Sequence, residues 1–479
     1  MSVDRQKLLE AMLACVGPEG CVSEPNDIEP YVIDYKGMYK GTAALVVRPA
    51  STEEVAKVVA YCRDHGVCVV PQGGNTSMVG GSVPDSSGNS IVVSLSRMRE
   101  VLDVDVLNDT ITVQAGVTLS QACDAAEAAG RLFPLRIGSA GSCQIGGNIS
   151  TNAGGTAVLK YGNMRELTLG LEVVLADGRV WSGLKGLRKD NSGYDLKNLF
   201  VGAEGTLGII TAAVLKLAPL PTARSVAMVK VVNATAAINL LAVAKGIAGQ
   251  AISAFELISP EAMILVMEHL NLESGPLSGV PGWQVLIELT SNGQQEELDA
   301  LMTAVLEKGI EDSLVEDAVL ATSNAQIQNL WRIREEISDA QTRTGGSVRC
   351  DVSVPISKMA TFIEEGSARV RSIAPDVRMV IYGHMGDGNV HFNPLRAKTT
   401  SAKDFLAAHG QAIAEVADEL AVSLRGSISA EHGVGVAKRD DLLLYKSPVD
   451  LDVMWAIKRA LDPNNLLNPG KVLPKFHQD

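Results

Sequence analysis

The chain has 479 residues, of which 46% are hydrophobic and 20% charged, and its formal net charge is −13. That length predicts two or three domains, each able to bury a sizeable core. The acidic balance excludes a broad nucleic-acid surface, which needs basic stripes, but leaves room for a local basic pocket that takes a small anion. Seven scattered cysteines with no C-x-x-C spacing read as a reduced chain, and a cytoplasmic location is expected. The opening MSVDRQKLLEAML mixes charges into its apolar positions and reads as an amphipathic helix rather than a signal peptide. No run of about eighteen apolar residues is free of charge, so no membrane span is expected.

Residues 43–82 read as strand, helix, strand and glycine loop. AALVVRPA is a strand. Ser51 and Glu54 have the spacing of a capping box, and the helix that follows stops at Gly66. VCVVP is the next strand. VLDVDVLNDTITVQAG predicts a hairpin turning at Asn108–Asp109, and LGLEVVLADGRVWSG another at Asp177–Gly178. A helix is expected over 118–129, and Pro219 and Pro221 mark a boundary near 221. Beyond it, strands and long helices alternate. QIQNLWRIREEISDAQ (326–341) has a helical period that sets Leu330, Arg334 and Ser338 in one row. SVRCDVSVP (347–355) alternates strictly, with Val348, Cys350, Val352 and Val354 toward a core and Ser347, Arg349, Asp351 and Ser353 opposite. A last amphipathic helix, 449–461, stops at Asp462–Pro463. The expected organisation is an N-terminal helical segment (1–39), a cofactor domain (40–221), a substrate domain (222–425) and a C-terminal segment (426–479) that completes the site.

Three segments are rich in glycine: PQGGNTSMVGGSVP (71–84), IGSAGSCQIGGNISTNAGG (137–155) and LFVGAEGTLGIITAAVLKLAPLP (199–221). Glycine lets backbone N–H groups approach a ligand with no Cβ in the way, and several such groups form a nest for an anion. Neither a G-K-[ST] Walker ending nor G-x-G-x-x-G is present, so the common nucleotide fingerprints are absent. One such loop is as readily a tight turn. Three of them together could line a long dinucleotide.

These segments, with YGHMGDGNVHFN, SAEHGVG and DPNNLLNPGKVLP, resemble the vanillyl-alcohol-oxidase type of FAD enzyme from about residue 40 onward, and within it the D-2-hydroxy-acid dehydrogenases. The resemblance implies an α+β fold. A two-subdomain FAD-binding domain would carry an α+β cap for substrate, and the C-terminal segment would return to the FAD. It implies that Pro71, Gly73, Gly74, Asn75 and Thr76 cradle the pyrophosphate, helped by Gly80 and Gly81. Ser142, Gly146, Gly147, Asn148, Thr151 and Asn152 would lie along the flavin. Gly205 and Ile209 in the third segment, then Glu431 and Asn468, would complete the cofactor site. The first loop has no histidine for covalent attachment, since His65 precedes it, so non-covalent FAD is expected. Cys143 is the one conceivable attachment point and reads better as a small packing residue.

His384 and His391 flank the turn-forming GDGN, and Glu431 sits beside His432. Two imidazoles and a carboxylate suit zinc with a position left open. By spacing alone, core histidines satisfied by hydrogen bonds are an equal reading. The resemblance implies that His384, His391 and Glu431 hold a divalent metal, zinc or manganese, with Asp387 as a rival ligand that better suits the turn. It implies His432 as the base, Arg334 and Asn393 on the substrate's α-carboxylate, and Ser338 and Arg349 on a distal carboxylate. The family has threonine and lysine at those last two positions, and arginine is no neutral exchange for lysine. Taken alone, Arg349 would simply bridge Asp351. The expected substrate is D-2-hydroxyglutarate, with D-malate or D-lactate as alternatives. An electron-transfer flavoprotein or quinone would take the electrons, and a homodimer is implied. Two rivals of other classes are a zinc hydrolase, which leaves the glycine segments unexplained, and a non-catalytic flavin-binding subunit.

Overall fold

The structure is a computed structural model that describes residues 4–475; the first three and last four positions of the expected terminal segments lie outside it. The chain divides into two compact units. The first comprises residues 1–154, 163–220 and 431–479, and the second 155–162 and 221–430. The units do not follow the expected segments throughout: Pro221 opens the long segment of the second unit, and the stretch from Glu431 joins the first. Residues 1–39 are part of the first unit, while 155–162 and 426–430 belong to the second. Both units mix helices and strands, as an α+β chain should.

The first unit holds two main sheets. Its four-stranded sheet runs Cys21–Val22, Leu45–Val47, Ser90–Ser94, Cys68–Gln72, with the last two pairings parallel. The crossover is the helix Thr52–His65. Ser51 Oγ accepts the Glu54 N–H at 3.2 Å, but Glu54 Oε2 accepts from Ala50 N–H at 2.7 Å instead of from Ser51. The expected capping box is thus half formed. The strand Cys68–Gln72 opens directly into the first glycine loop. The five-stranded sheet runs Val101–Asp105, Thr110–Gln114, Ile209–Lys216, Thr168–Val174, Val180–Gly183 and is antiparallel throughout. Its hairpins turn where expected, at Asp109 and Gly178, both with positive φ. The third glycine segment feeds its central strand.

The second unit is built on a seven-stranded antiparallel sheet. Its order is Val315–Leu320, Ala223–Val231, Trp283–Ser291, Ile252–Ile258, Arg378–His384, Asn389–Leu395, Cys350–Ser353. Side chains alternate between its faces. On one face Val229, Phe255, Leu257, Ile287, Val352, Ile381 and Phe392 form the larger core, closed by helices Ala234–Ala248, Gln295–Glu311, Met359–Ile373 and Ala402–Ser423. On the other, Met228, Ala254, Leu286, Val380, Tyr382 and Leu395 pack under helices Pro260–Leu270, Asn324–Glu335 and Ile337–Thr344. Each large apolar side chain removed from water in these layers contributes about 1.5–3 kcal/mol. The second face is also the polar one. Among the described residues no helix is long and apolar enough to cross a membrane.

One expected element is corrected. The helical stretch 326–341 is two helices, Asn324–Glu335 and Ile337–Thr344, that break at Glu336. Leu330 and Arg334 share a buried row on the first, and Ser338 stands on the second. Periodicity alone cannot register a break that costs one residue.

Candidate active site

The three glycine segments meet in the first unit. A Cβ on Gly74 would run into the Ser142 carbonyl, so only glycine lets the first and second segments touch. A Cβ on Gly205 would come within 3.1 Å of the Pro71 ring, and one on Gly81 within 3.1 Å of Glu204. The C-terminal segment closes the same place: Asn468 Nδ2 donates to the carbonyls of Gly81 and Glu204, both at 2.8 Å. Among the described residues, no protein acceptor takes the N–H of Gly73, Gly74, Asn75 or Thr76. Asn75 has φ 53. Its amide is spent inside the protein, donating to Ile33 O at 2.8 Å and accepting from Ser82 Oγ at 2.8 Å. Only its main chain is left for a ligand. Asn468 Oδ1 is buried with no partner. A cradle of unpaired N–H groups and an orphaned amide oxygen are what a dinucleotide would satisfy, so these residues fit FAD.

The other predicted cofactor residues divide. The Ile145–Ser150 turn carries Gly146, whose N–H is bonded to Ala115 O at 2.8 Å, and Gly147, which faces open space. Asn148 lies buried against Cys143 Sγ at 3.6 Å. Burial pushes the Cys143 thiol up, with hydrogen bonds from Ser139 and Asn148 opposing, which suits an inert packing residue. Thr151 Oγ1 donates to Gly147 O at 3.1 Å, and Asn152 Oδ1 accepts from Arg165 N–H at 2.9 Å. Both side chains fix the loop. The Ile209 side chain is core.

Glu204 was not legible as a site residue. It is buried, and its two oxygens accept the N–H groups of Val434 (2.7 Å) and Gly435 (2.9 Å), in the loop that carries Glu431 and His432. Gly433, at φ +83, is glycine because a Cβ there would strike the Glu204 carboxylate at 2.7 Å. Burial pushes the Glu204 carboxyl up, with the two N–H groups and Lys471 opposing.

In the second unit the polar face of the sheet gathers the rest. Antiparallel register sets Glu256 opposite His384 and Asp351 opposite His391. His384 Nδ1 lies 2.9 Å from Glu256 Oε1, and His391 Nδ1 lies 3.5 Å from Asp351 Oδ1. Both carboxylates are 1% exposed. The two imidazoles stand edge to face with centroids 5.5 Å apart. A carboxylate on Nδ1 fixes the ring and leaves Nε2 as the ligand nitrogen, the arrangement metal-binding histidines use. Ala430 N–H donates to Asp351 O at 3.2 Å. His384 and His391 each offer a ring nitrogen on this face, a donor set that a carboxylate such as Glu431 would complete. The set fits a divalent metal. Asp387 is exposed and its carboxylate accepts from Asn389 N–H at 3.1 Å, which is turn chemistry.

Arg334 is buried, 4.9 Å over the Tyr382 ring. Its Nη2 lies 2.7 Å from Glu256 Oε2, close enough for an ion pair but off the line of a hydrogen bond. Among the described residues Nε has no acceptor at all, a deficit an anion would fill. Burial would push the Glu256 carboxyl up, but His384 and Arg334 outweigh it and hold it below the usual range. Asn393 accepts from Cys350 N–H at 3.1 Å and donates to Gln341 Oε1 at 3.2 Å; Tyr382 donates to the same oxygen at 3.1 Å. Ser338 stands in the first turn of the second helix. Arg349 donates to Thr342 Oγ1 at 2.7 Å, and Asp351 is not its ion-pair partner among the described residues.

Glu256, Glu204, Tyr382 and Gln341 went unnoticed in the sequence. The one available signal was an acidic residue inside the apolar strand ISAFELI.

The FAD binding domain model matches residues 43–183, and the model of FAD linked oxidases, C-terminal domain, matches residues 220–472. A protein of Oryza sativa subsp. indica named probable D-2-hydroxyglutarate dehydrogenase, mitochondrial, is 42% identical over 463 residues, covering 96% of this chain and 80% of its own. The D-2-hydroxyglutarate dehydrogenase, mitochondrial, of Bos taurus is 39% identical over 465 residues, covering 97% and 83%. A solved structure of p-cresol methylhydroxylase with substrate bound is 18% identical with a TM-score of 0.74, covering 98% of this chain and 96% of that one, and shows the shared fold. The chain belongs to the FAD-linked oxidases of vanillyl-alcohol-oxidase fold, and within them to the D-2-hydroxyglutarate dehydrogenases. Its activity is that of an FAD-dependent D-2-hydroxy-acid dehydrogenase. The expected cytoplasmic location is overturned by the same relatives, which are named mitochondrial. Free cysteines report a reducing environment and do not tell one such compartment from another.

Proposed function

We propose that the protein oxidises D-2-hydroxyglutarate to 2-oxoglutarate with the help of a bound metal. The observation that carries this reading is the pair His384 and His391, each with Nδ1 turned to a buried carboxylate and standing on one sheet face with Arg334. Their Nε2 atoms and Glu431 would hold the metal, zinc in this reading, which would supply Lewis-acid chemistry to the substrate. When bound, FAD accepts the hydride at N5 and the metal polarises the substrate hydroxyl. His432 takes the hydroxyl proton. Arg334 clamps the α-carboxylate, a role its unmet Nε–H supports, with Asn393 as polar partner. Ser338 and Arg349 hold the distal carboxylate. A substrate without that group leaves Arg349 unpaired, which ranks D-lactate below the diacids. The first-unit cradle binds FAD non-covalently. An external acceptor of electron-transfer-flavoprotein or quinone type and a homodimer belong to the same proposal.

The test is the visible spectrum of the purified protein, recorded anaerobically before and after D-2-hydroxyglutarate, with D-malate and D-lactate on fresh samples. A flavin band bleached fastest by D-2-hydroxyglutarate supports the reading. Bleaching by D-lactate alone would remove the distal-carboxylate assignment.

A further inference from the structure

One carboxylate serves two groups that the proposed reaction uses for different tasks. Glu256 lies in the middle strand of the seven-stranded sheet, between Phe255 and Leu257, and is 1% exposed. Oε1 is 2.9 Å from His384 Nδ1, and Oε2 is 2.7 Å from Arg334 Nη2. The two partners come from separate elements, the neighbouring strand Arg378–His384 and the helix Asn324–Glu335 that covers this face. A buried charge is a poor way to hold a sheet together, because an apolar residue of similar size is commonly as stabilising. Every other residue of Ile252–Ile258 is hydrophobic except Ser253, and all are buried. Core packing therefore gives no reason for glutamate at 256, whereas His384 and Arg334 do.

We infer that Glu256 is a positioning residue that locks the metal ligand and the substrate clamp to each other. On His384 it fixes the ring and the tautomer, leaving Nε2 as the ligand nitrogen. On Arg334 it holds Nη2, and so the guanidinium, where Nε remains without an acceptor among the described residues. The separation between metal and α-carboxylate clamp is then set by the width of one carboxylate, not by the flexible length of an arginine. This inference rests on the metal and clamp roles proposed above.

The test uses full-length, flavin-loaded protein as wild type, Glu256→Gln and Glu256→Asp. Zinc affinity is measured by competition with a chelator, and KM and kcat for D-2-hydroxyglutarate are measured with and without saturating zinc. Glu256→Gln is expected to lose zinc affinity about 10–100-fold, as loss of such a partner typically does. Its KM is expected to stay raised at least about tenfold when zinc is saturating, because metal alone does not restore Arg334. Glu256→Asp keeps the charge but is one methylene shorter, so it should recover one function and not both; it decides the matter if the glutamine variant does not fold. A KM restored to wild type by zinc would overturn the coupling, as would unchanged zinc affinity in Glu256→Gln beside a wild type that binds zinc tightly. A wild type that binds no zinc overturns the underlying metal reading, and the inference with it.

Discussion

Arg334 lies 4.9 Å over the ring of Tyr382, on a helix whose other buried residues are Ile327, Leu330, Trp331 and Ile333. The stack, with Glu256 on Nη2, fixes a planar fork whose Nε has no acceptor among the described residues. Arg334→Lys keeps the charge and loses the fork and the stack. Charged hydrogen bonds of this kind contribute about 1.5–3 kcal/mol. A rise in KM for D-2-hydroxyglutarate of about 10–100-fold is expected, with flavin absorbance retained. Steady-state kinetics checks it, and an unchanged KM would remove Arg334 from the clamp.

Removal of metal separates the two cofactors. Dialysis against a strong chelator is expected to leave the flavin spectrum intact, since the glycine cradle uses none of His384, His391 or Glu431. Bleaching by D-2-hydroxyglutarate should slow by at least about 100-fold, in line with the several kcal/mol a Lewis acid supplies. Added zinc should restore it. Full-speed bleaching by metal-free protein would sink the metal-assisted mechanism.

Arg349 tests the choice of substrate. Arg349→Gln removes the cation and keeps a polar side chain near Thr342. The kcat/KM for D-2-hydroxyglutarate should fall by about 10–100-fold, equivalent to roughly 1.4–2.8 kcal/mol, while that for D-lactate changes little. An equal fall for both acids would place Arg349 in the framework and not on the distal carboxylate.

Glu204 gives a pH dependence with a definite sign. Burial raises its carboxyl pKa despite the N–H groups of Val434 and Gly435. A carboxyl raised in the folded state contributes stability that is complete below the unfolded value, about pH 4.3, and is lost as the pH rises through the folded value. Glu204→Gln lacks that titration. The stability of wild type relative to Glu204→Gln is therefore expected to be greatest at acid pH and to decline toward neutrality. Melting temperatures of both proteins across about pH 4–8 decide it; a relative stability that grows with pH would mean the carboxyl is lowered.

The sheet that bears the site was readable where its strands alternate. SVRCDVSVP has Val348, Cys350, Val352 and Val354 in the core, because a period of two is local and the burial of one face enforces it. The same alternation puts Asp351 on the site face, yet what Asp351 meets there was not readable. Its partner on the chain looked like Arg349, two residues away. In the fold it is His391, brought opposite by strand pairing, and Arg349 turns to Thr342. Glu256 shows the limit more plainly, since 128 positions separate it from His384.

By itself, the sequence determined which groups the protein can use. Its glycine loops lack the Walker and G-x-G-x-x-G endings, the two short histidine motifs supply imidazoles and a carboxylate, and the turns fall at Asp109 and Gly178. These are local properties, fixed by side-chain chemistry and the φ a residue will tolerate. Only the tertiary structure decided which carboxylate orients which imidazole, that one glutamate holds both His384 and Arg334, and that the loop bearing Glu431 and His432 hangs on Glu204. Those pairings join residues far apart in the chain. A buried charge is tolerated only where its partners arrive, and strand register and helix packing determine where that is.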